Sequence, residues 1–188
     1  IFVNGWSNSD MLKALVAEGY ICLVYSNRGH GQSSYIEDRQ ELINDPKYLA
    51  NDLRGAMTYL TGHELVMADS IGLMGGSMGA SMAVAGNGYE RVLTSVALSP
   101  ANLHINYMFP GIPPRSVFYL VGENDIVNTG EEVINFPVES NALYKLTNDP
   151  RKIMILEGSI AHGTELLEQI GVKDEILLWF QTQLPVIH

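Results

Sequence analysis

The chain has 188 residues, 46% of them apolar, which is enough for one sizeable core and argues against disordered and low-complexity classes. Eleven Lys and Arg against 21 Asp and Glu leave a formal charge of −10, so the field of the whole protein opposes a phosphate-binding face and nucleic acid is not an expected partner. The single cysteine, Cys22, excludes an intrachain disulfide and a cysteine-based zinc site, the histidines form no H-E-x-x-H pair, and the apolar runs fall short of the ~18 residues a membrane span needs.

The chain opens on Ile1-Phe2-Val3, an apolar β-type triplet with no basic, apolar leader before it and no initiator Met. The expectation is a cytoplasmic, soluble protein whose natural beginning is missing. Short runs rich in β-branched residues then alternate with stretches of helical period, the pattern of a βαβ array on a mostly parallel sheet. Strands are predicted at roughly 1–4, 20–26, 70–75, 92–98, 116–121 and 152–157. Ser7 and Asp10 have capping-box spacing, Met11, Leu12, Leu15 and Val16 form one stripe, and Gly19 marks the end of a first helix. Asp45 and Pro46 announce a second, with Leu49, Leu53, Ala56, Met57 and Leu60 on one face and Gly62 at its close. A third follows Ser77, a fourth covers about 139–147, and the last carries Ile176, Leu177, Trp179, Phe180 and Leu184. No repeat or linker interrupts the series, so residues 1–188 read as one domain, a three-layer α/β/α sandwich. Asn27 to Asp45 and Pro100 to Arg115 read as loops beyond strand ends, the edge at which open α/β sheets bind ligands.

The most informative stretch is Gly75-Gly76-Ser77-Met78-Gly79, a G-x-S-x-G motif entered from an apolar strand and left by a small-residue helix. A serine on so sharp a turn is backbone-strained, and its neighbours two before and two after approach too closely for side chains, which is the steric reason for glycine there. The turn lifts the hydroxyl above the sheet and aims the first N–H groups of the helix at the same point. A dinucleotide fingerprint would need an acidic residue ending the next strand, where Ser99-Pro100 stands instead, and a Walker loop lacks its Lys-Ser/Thr pair. An activated serine needs a base, and the base an orienting carboxylate. Beyond the next two strands come Gly122-Glu123-Asn124-Asp125 and Ala161-His162-Gly163, so Ser77, Asp125 and His162 follow in that order, with Glu123 the rival for the acid.

Taken together these segments resemble the α/β-hydrolase superfamily, of the lidless esterase and dienelactone-hydrolase-like type, over nearly the whole chain. Asn4-Gly5-Trp6 resembles the family's His-Gly-x turn, with Asn4 where histidine is usual, and Arg28-Gly29-His30-Gly31-Gln32-Ser33 resembles its R-G-x-G-x-S loop. The resemblance implies a minimal α/β-hydrolase fold with no cap domain and without the usual N-terminal hairpin, its six predicted strands ordered 2-1-3-4-5-6 and the second left as an open edge. It implies a serine hydrolase that cleaves short-chain, soluble carboxylic esters through an acyl-enzyme. Ser77 attacks, His162 is the base, Asp125 orients it, and the backbone N–H groups of Trp6 and Met78 form the oxyanion hole. No metal or organic cofactor is implied, the expected partner is a small-molecule ester, and the oligomeric state stays open. The same residues would serve a thioesterase, an amidase or peptidase, or an acyl transferase, and the fold could also be an inactive binding module. His30 is expected to be structural, His63, His104 and His188 to lie at the surface, Cys22 to be buried and inert, and Met74, Met78 and Met82 to pack.

Overall fold

A computed structural model describes residues 2–3, 9–37, 42, 47–88, 92–102, 113–128, 130, 132–184 and 186. The predicted strands appear as β1 (Phe2–Val3), β2 (Val24–Tyr25), β3 (Ile71–Gly76), β4 (Val92–Leu98) and β5 (Arg115–Gly122), while the sixth, Asn148–Leu156, is β8. Between β5 and β8 lies a ribbon the sequence reading did not anticipate, β6 (Ile126–Asn128) paired antiparallel with β7 (Val133–Asn135). The helices are α1 (Ser9–Ala17), α2 (Lys47–Thr61), α3 (Met78–Gly86), α4 (Phe136–Leu146) and α5 (Val172–Gln183), with a 3₁₀ turn at Gly163–Glu168.

The six main strands are all parallel, in the order β2-β1-β3-β4-β5-β8, which is the order expected from the resemblance. Strands β4 and β5 are buried along nearly their whole length because both their faces are covered, and the buried Thr94 and Ser95 of β4 donate their hydroxyls to the Ser116 and Ala83 carbonyls. On β5, Val117 and Tyr119 join the core formed by α2, α3 and Leu143 of α4, while Phe118 and Leu120 join the core formed by α1 and α5. That period of two is what makes the molecule three layers. The α2 stripe is buried as expected, and Leu42, inside a segment read as polar loop, is buried in the same core. The N-cap residues expected for α1 and α2, Ser7 and Asp45, lie outside the described residues.

Three boundaries differ from the sequence reading. The second strand is short, since its ladder reaches only Phe2–Val3 on β1. The last strand begins four residues early and runs through Pro150, which a β8 at the sheet's edge tolerates because one side of it needs no ladder N–H. Helix α4 also begins early: Asn135 caps it by accepting the Val138 N–H at 3.1 Å, and Pro137 sits in the first turn.

Candidate active site

The G-x-S-x-G segment folds as a strand-to-helix turn between β3 and α3. Ser77 holds φ 56° and ψ −122°, a conformation that costs on the order of 1–3 kcal/mol and persists only where its surroundings fix it. Its N–H donates to the Leu98 carbonyl at 2.8 Å, which ties the turn to the end of β4. A Cβ on Gly75 would collide with the Gly79 carbonyl and stand 2.9 Å from the Ala80 nitrogen, so Gly75 is bare for the steric reason read from the spacing. Met78 is the first residue of α3, and its N–H has no acceptor among the described residues, as befits one of the orphan donors at a helix start. Trp6, the other expected oxyanion donor, and Asn4 lie outside the described residues.

The acid and the base come from the next strand ends. Asp125 follows the β5 turn, is 1% exposed, and receives Nδ1 of His162 at 2.9 Å to Oδ1 and 3.0 Å to Oδ2. Such a bond to a carboxylate fixes the hydrogen on Nδ1 and leaves Nε2 as the acceptor. Glu123 does something else: it is exposed, and its Oε2 accepts the Gly158 N–H at 2.7 Å, closing the two turns against each other. The Phe136 ring lies against the imidazole with centroids 4.4 Å apart and planes inclined at 57°, and the Phe136 N–H donates to the Asp125 carbonyl at 3.1 Å. The residue after the histidine lies beside the serine, since a Cβ on Gly163 would stand 3.4 Å from the Ser77 nitrogen and 3.6 Å from Ser77 Cβ. A hydroxyl beyond β3, a buried carboxylate beyond β5 and an imidazole beyond β8 thus stand at the carboxyl edge of one parallel sheet, the last two hydrogen-bonded to each other, and these are the residue types from which a nucleophile, a base and its orienting acid are built.

No family model matches the sequence. Over 85 residues the chain is 38% identical to the acyltransferase drtE of Aspergillus calidoustus, a match that covers 45% of this chain and 27% of that protein. Among solved structures it is similar to an esterase of Pyrococcus furiosus, with a TM-score of 0.67 at 18% identity over 92% of this chain and 75% of that one. It is similar too to the esterase domain of a Rhodothermus marinus protein, with a TM-score of 0.64 at 13% identity over 97% and 85% of the two chains. A dienelactone hydrolase of Anabaena variabilis superposes with a TM-score of 0.57 at 19% identity, over 74% of this chain and 62% of that one. The chain has the α/β-hydrolase fold.

Within that α/β-hydrolase fold the remaining residues singled out by sequence have structural surroundings. Asp52 of α2 takes the Arg28 side chain at 2.9 Å from Nε and 2.6 Å from a terminal nitrogen, and also the Arg28 N–H at 2.9 Å. That hydrogen bonding raises the guanidinium pKa further, and the pair ties the R-G-x-G-x-S loop down. His30 is bound inside the loop, its N–H donating to the Asn27 carbonyl at 3.1 Å and its Nδ1 lying 3.2 Å from the Arg28 carbonyl. His63 is exposed, and His104 and His188 lie outside the described residues. Met74 and Met82 are buried and Met78 packs against the core. Cys22 is only partly buried, a correction to the reading of it as fully interior: the strand expected to cover it is only Val24–Tyr25, so Cys22 lies before it at the sheet's edge, packed on the core from one side. Among the described residues no three His, Cys, Asp or Glu side chains gather as a metal site, and no helix is long and apolar enough to cross a membrane. Sequence reasoning did not single out Ser99 or Phe136 individually. A positive φ on a serine, as at Ser99, leaves no trace in composition.

Proposed function

We propose that the protein is a serine hydrolase of carboxylic esters acting through an acyl-enzyme. The observation that carries this reading is the Asp125–His162 pair standing beside the strained Ser77 turn. Ser77 Oγ attacks the ester carbonyl while His162 takes its proton at Nε2. The tetrahedral intermediate collapses with cleavage of the carbon–oxygen bond, and the same proton goes to the departing alcohol. Water then repeats the sequence on the acyl-serine and restores Ser77. The Met78 N–H, with that of Trp6, holds the oxyanion, and Asp125 keeps the imidazole in the accepting tautomer and stabilises its cation. The reading has the support of the fold shared with two esterases and a dienelactone hydrolase. It is tested by reaction with a fluorophosphonate probe followed by peptide mapping. Label on Ser77, absent from Ser77→Ala and accompanied by turnover of p-nitrophenyl butyrate, is the expected result; an unlabelled wild-type protein refutes it.

The stretch of likeness to a fungal acyltransferase favours a second reading on the same residues. An alcohol or amine replaces water in the second half-reaction, with His162 deprotonating it as it would water. Product analysis with and without an added small alcohol separates the two, since a transferase forms the new ester in preference to the free acid.

A further inference from the structure

Two residues at the end of β4 hold both the turn that carries Ser77 and the loop that carries His162. The Leu98 carbonyl accepts the Ser77 N–H at 2.8 Å. Its neighbour Ser99 places Oγ 2.9 Å from the Gly163 nitrogen and accepts that N–H, a contact between residues 64 apart in sequence. Gly163 follows His162 and opens the 3₁₀ turn, so its N–H is one of the donors that a helix start leaves without an internal acceptor. It also lies beside Ser77, close enough that a Cβ there would reach van der Waals distance of the serine. The His162 N–H is held by Glu165 Oε2 at 3.1 Å, but that carboxylate is exposed and belongs to the same turn, so it does not relate the histidine to any other strand.

Ser99 is fully buried and holds φ 54°, a left-handed conformation in which glycine is the least strained residue. Its own N–H donates to the Leu120 carbonyl at 2.8 Å. The backbone thus leaves the sheet at Ser99 and re-aims the hydroxyl towards the histidine loop. Glycine would relax the backbone here, and the serine that stands there instead uses its oxygen to accept the Gly163 N–H.

We propose that Ser99 is a positioning residue: by accepting the Gly163 N–H it fixes the His162 loop against Ser77, so that base and nucleophile keep their separation through the reaction. This rests on the serine-hydrolase reading above. A proton transfer tolerates little error in that separation, and a displacement of about 1 Å lowers the rate on the order of a hundredfold.

The test uses Ser99→Gly and Ser99→Ala in the whole chain, each followed by thermal denaturation, steady-state hydrolysis of p-nitrophenyl butyrate and the rate of fluorophosphonate labelling. Glycine removes the hydroxyl and relieves the strained backbone. Ser99→Gly, in which the relieved strain offsets the lost hydrogen bond, should therefore unfold nearer the wild-type temperature than Ser99→Ala, while kcat and the labelling rate fall about 10- to 100-fold and KM changes by less than about threefold. Ser99→Ala keeps the strain and loses the acceptor, so both its stability and its kcat fall. In the wild type, the proton on His162 Nδ1 should give a deshielded resonance from its bond to Asp125, and this should broaden in Ser99→Gly as the loop loosens. Turnover by Ser99→Gly within twofold of the wild type overturns the proposal, as does a fall in rate matched by the fraction unfolded, or failure of both variants to fold. A wild-type protein that takes no label fails the hydrolase reading itself, and this inference with it.

Discussion

Replacing Asp125 by asparagine changes almost no volume and reverses one hydrogen-bonding role. The carboxylate is 1% exposed and both its oxygens accept from His162 Nδ1, at 2.9 and 3.0 Å. In Asp125→Asn one of those positions becomes an NH₂ group, a donor facing a donor. Where the NH₂ faces it, the imidazole must move its hydrogen to Nε2, where it no longer accepts the Ser77 proton, or give up the bond; where the amide oxygen faces it, the imidazolium loses the negative charge that stabilises it. Each outcome removes or weakens the base, and the loss expected is about 10⁴-fold in kcat with KM little changed, equivalent to about 5.5 kcal/mol of transition-state stabilisation. Glu123→Gln is the control within the same turn. Its amide oxygen still accepts the Gly158 N–H now bound to Oε2, so its activity should stay within about threefold of the wild type. The assay is steady-state hydrolysis of p-nitrophenyl butyrate beside the rate of fluorophosphonate labelling, with circular dichroism to show that each variant is folded. A folded Asp125→Asn with more than a tenth of wild-type kcat, or a Glu123→Gln more damaged than it, would refute this account of the acid.

Gly75→Ala drives a Cβ into the backbone of the α3 start, where no side chain can move aside, and should lower unfolding free energy by about 3 kcal/mol or more; a wild-type denaturation midpoint would contradict the close approach. Burial pushes the Tyr25 and Tyr119 hydroxyls well above the ordinary tyrosine range, in Tyr25 with help from Asp52. The folded state therefore favours their neutral forms: this contribution to stability is fully present below about pH 10, where unfolded tyrosine begins to ionise, and is lost as the pH rises beyond it. Alkaline titration should show tyrosinate absorbance from these two appearing only together with loss of the circular dichroism signal. The Pro100 to Arg115 interval is sixteen residues, too short for a cap domain, so kcat/KM should be highest for acyl chains of roughly two to six carbons, each buried methylene adding at most about 0.8 kcal/mol. A long-chain optimum, or a jump in rate on an emulsion, would point to a lid elsewhere.

The order of elements, the two-faced burial of β4 and β5, the apolar stripe of α2 and the glycines around Ser77 were legible in the sequence because each is a local fact. Periodicity reports which faces are covered, and a steric requirement for glycine two residues from a serine is written where it acts. The Asn135 cap and Pro137 also marked the true start of α4, and the paired Ile-Val-Asn and Val-Ile-Asn triplets marked the ribbon after Asp125, but both signals are short and lie inside a stretch rich in turn residues. What only the tertiary structure decided is long-range. That Asp125 meets the histidine while Glu123 binds Gly158 depends on how the turn after β5 lies against the loop after β8, in chain segments more than thirty residues apart. The left-handed backbone of Ser99 and its reach to Gly163 depend likewise on where β4 ends relative to its neighbours, and Phe136 reaches the imidazole only because the ribbon returns α4 to the sheet edge. Residue type and spacing name the groups able to do the chemistry; the packing of one strand end against another sets which of them touch.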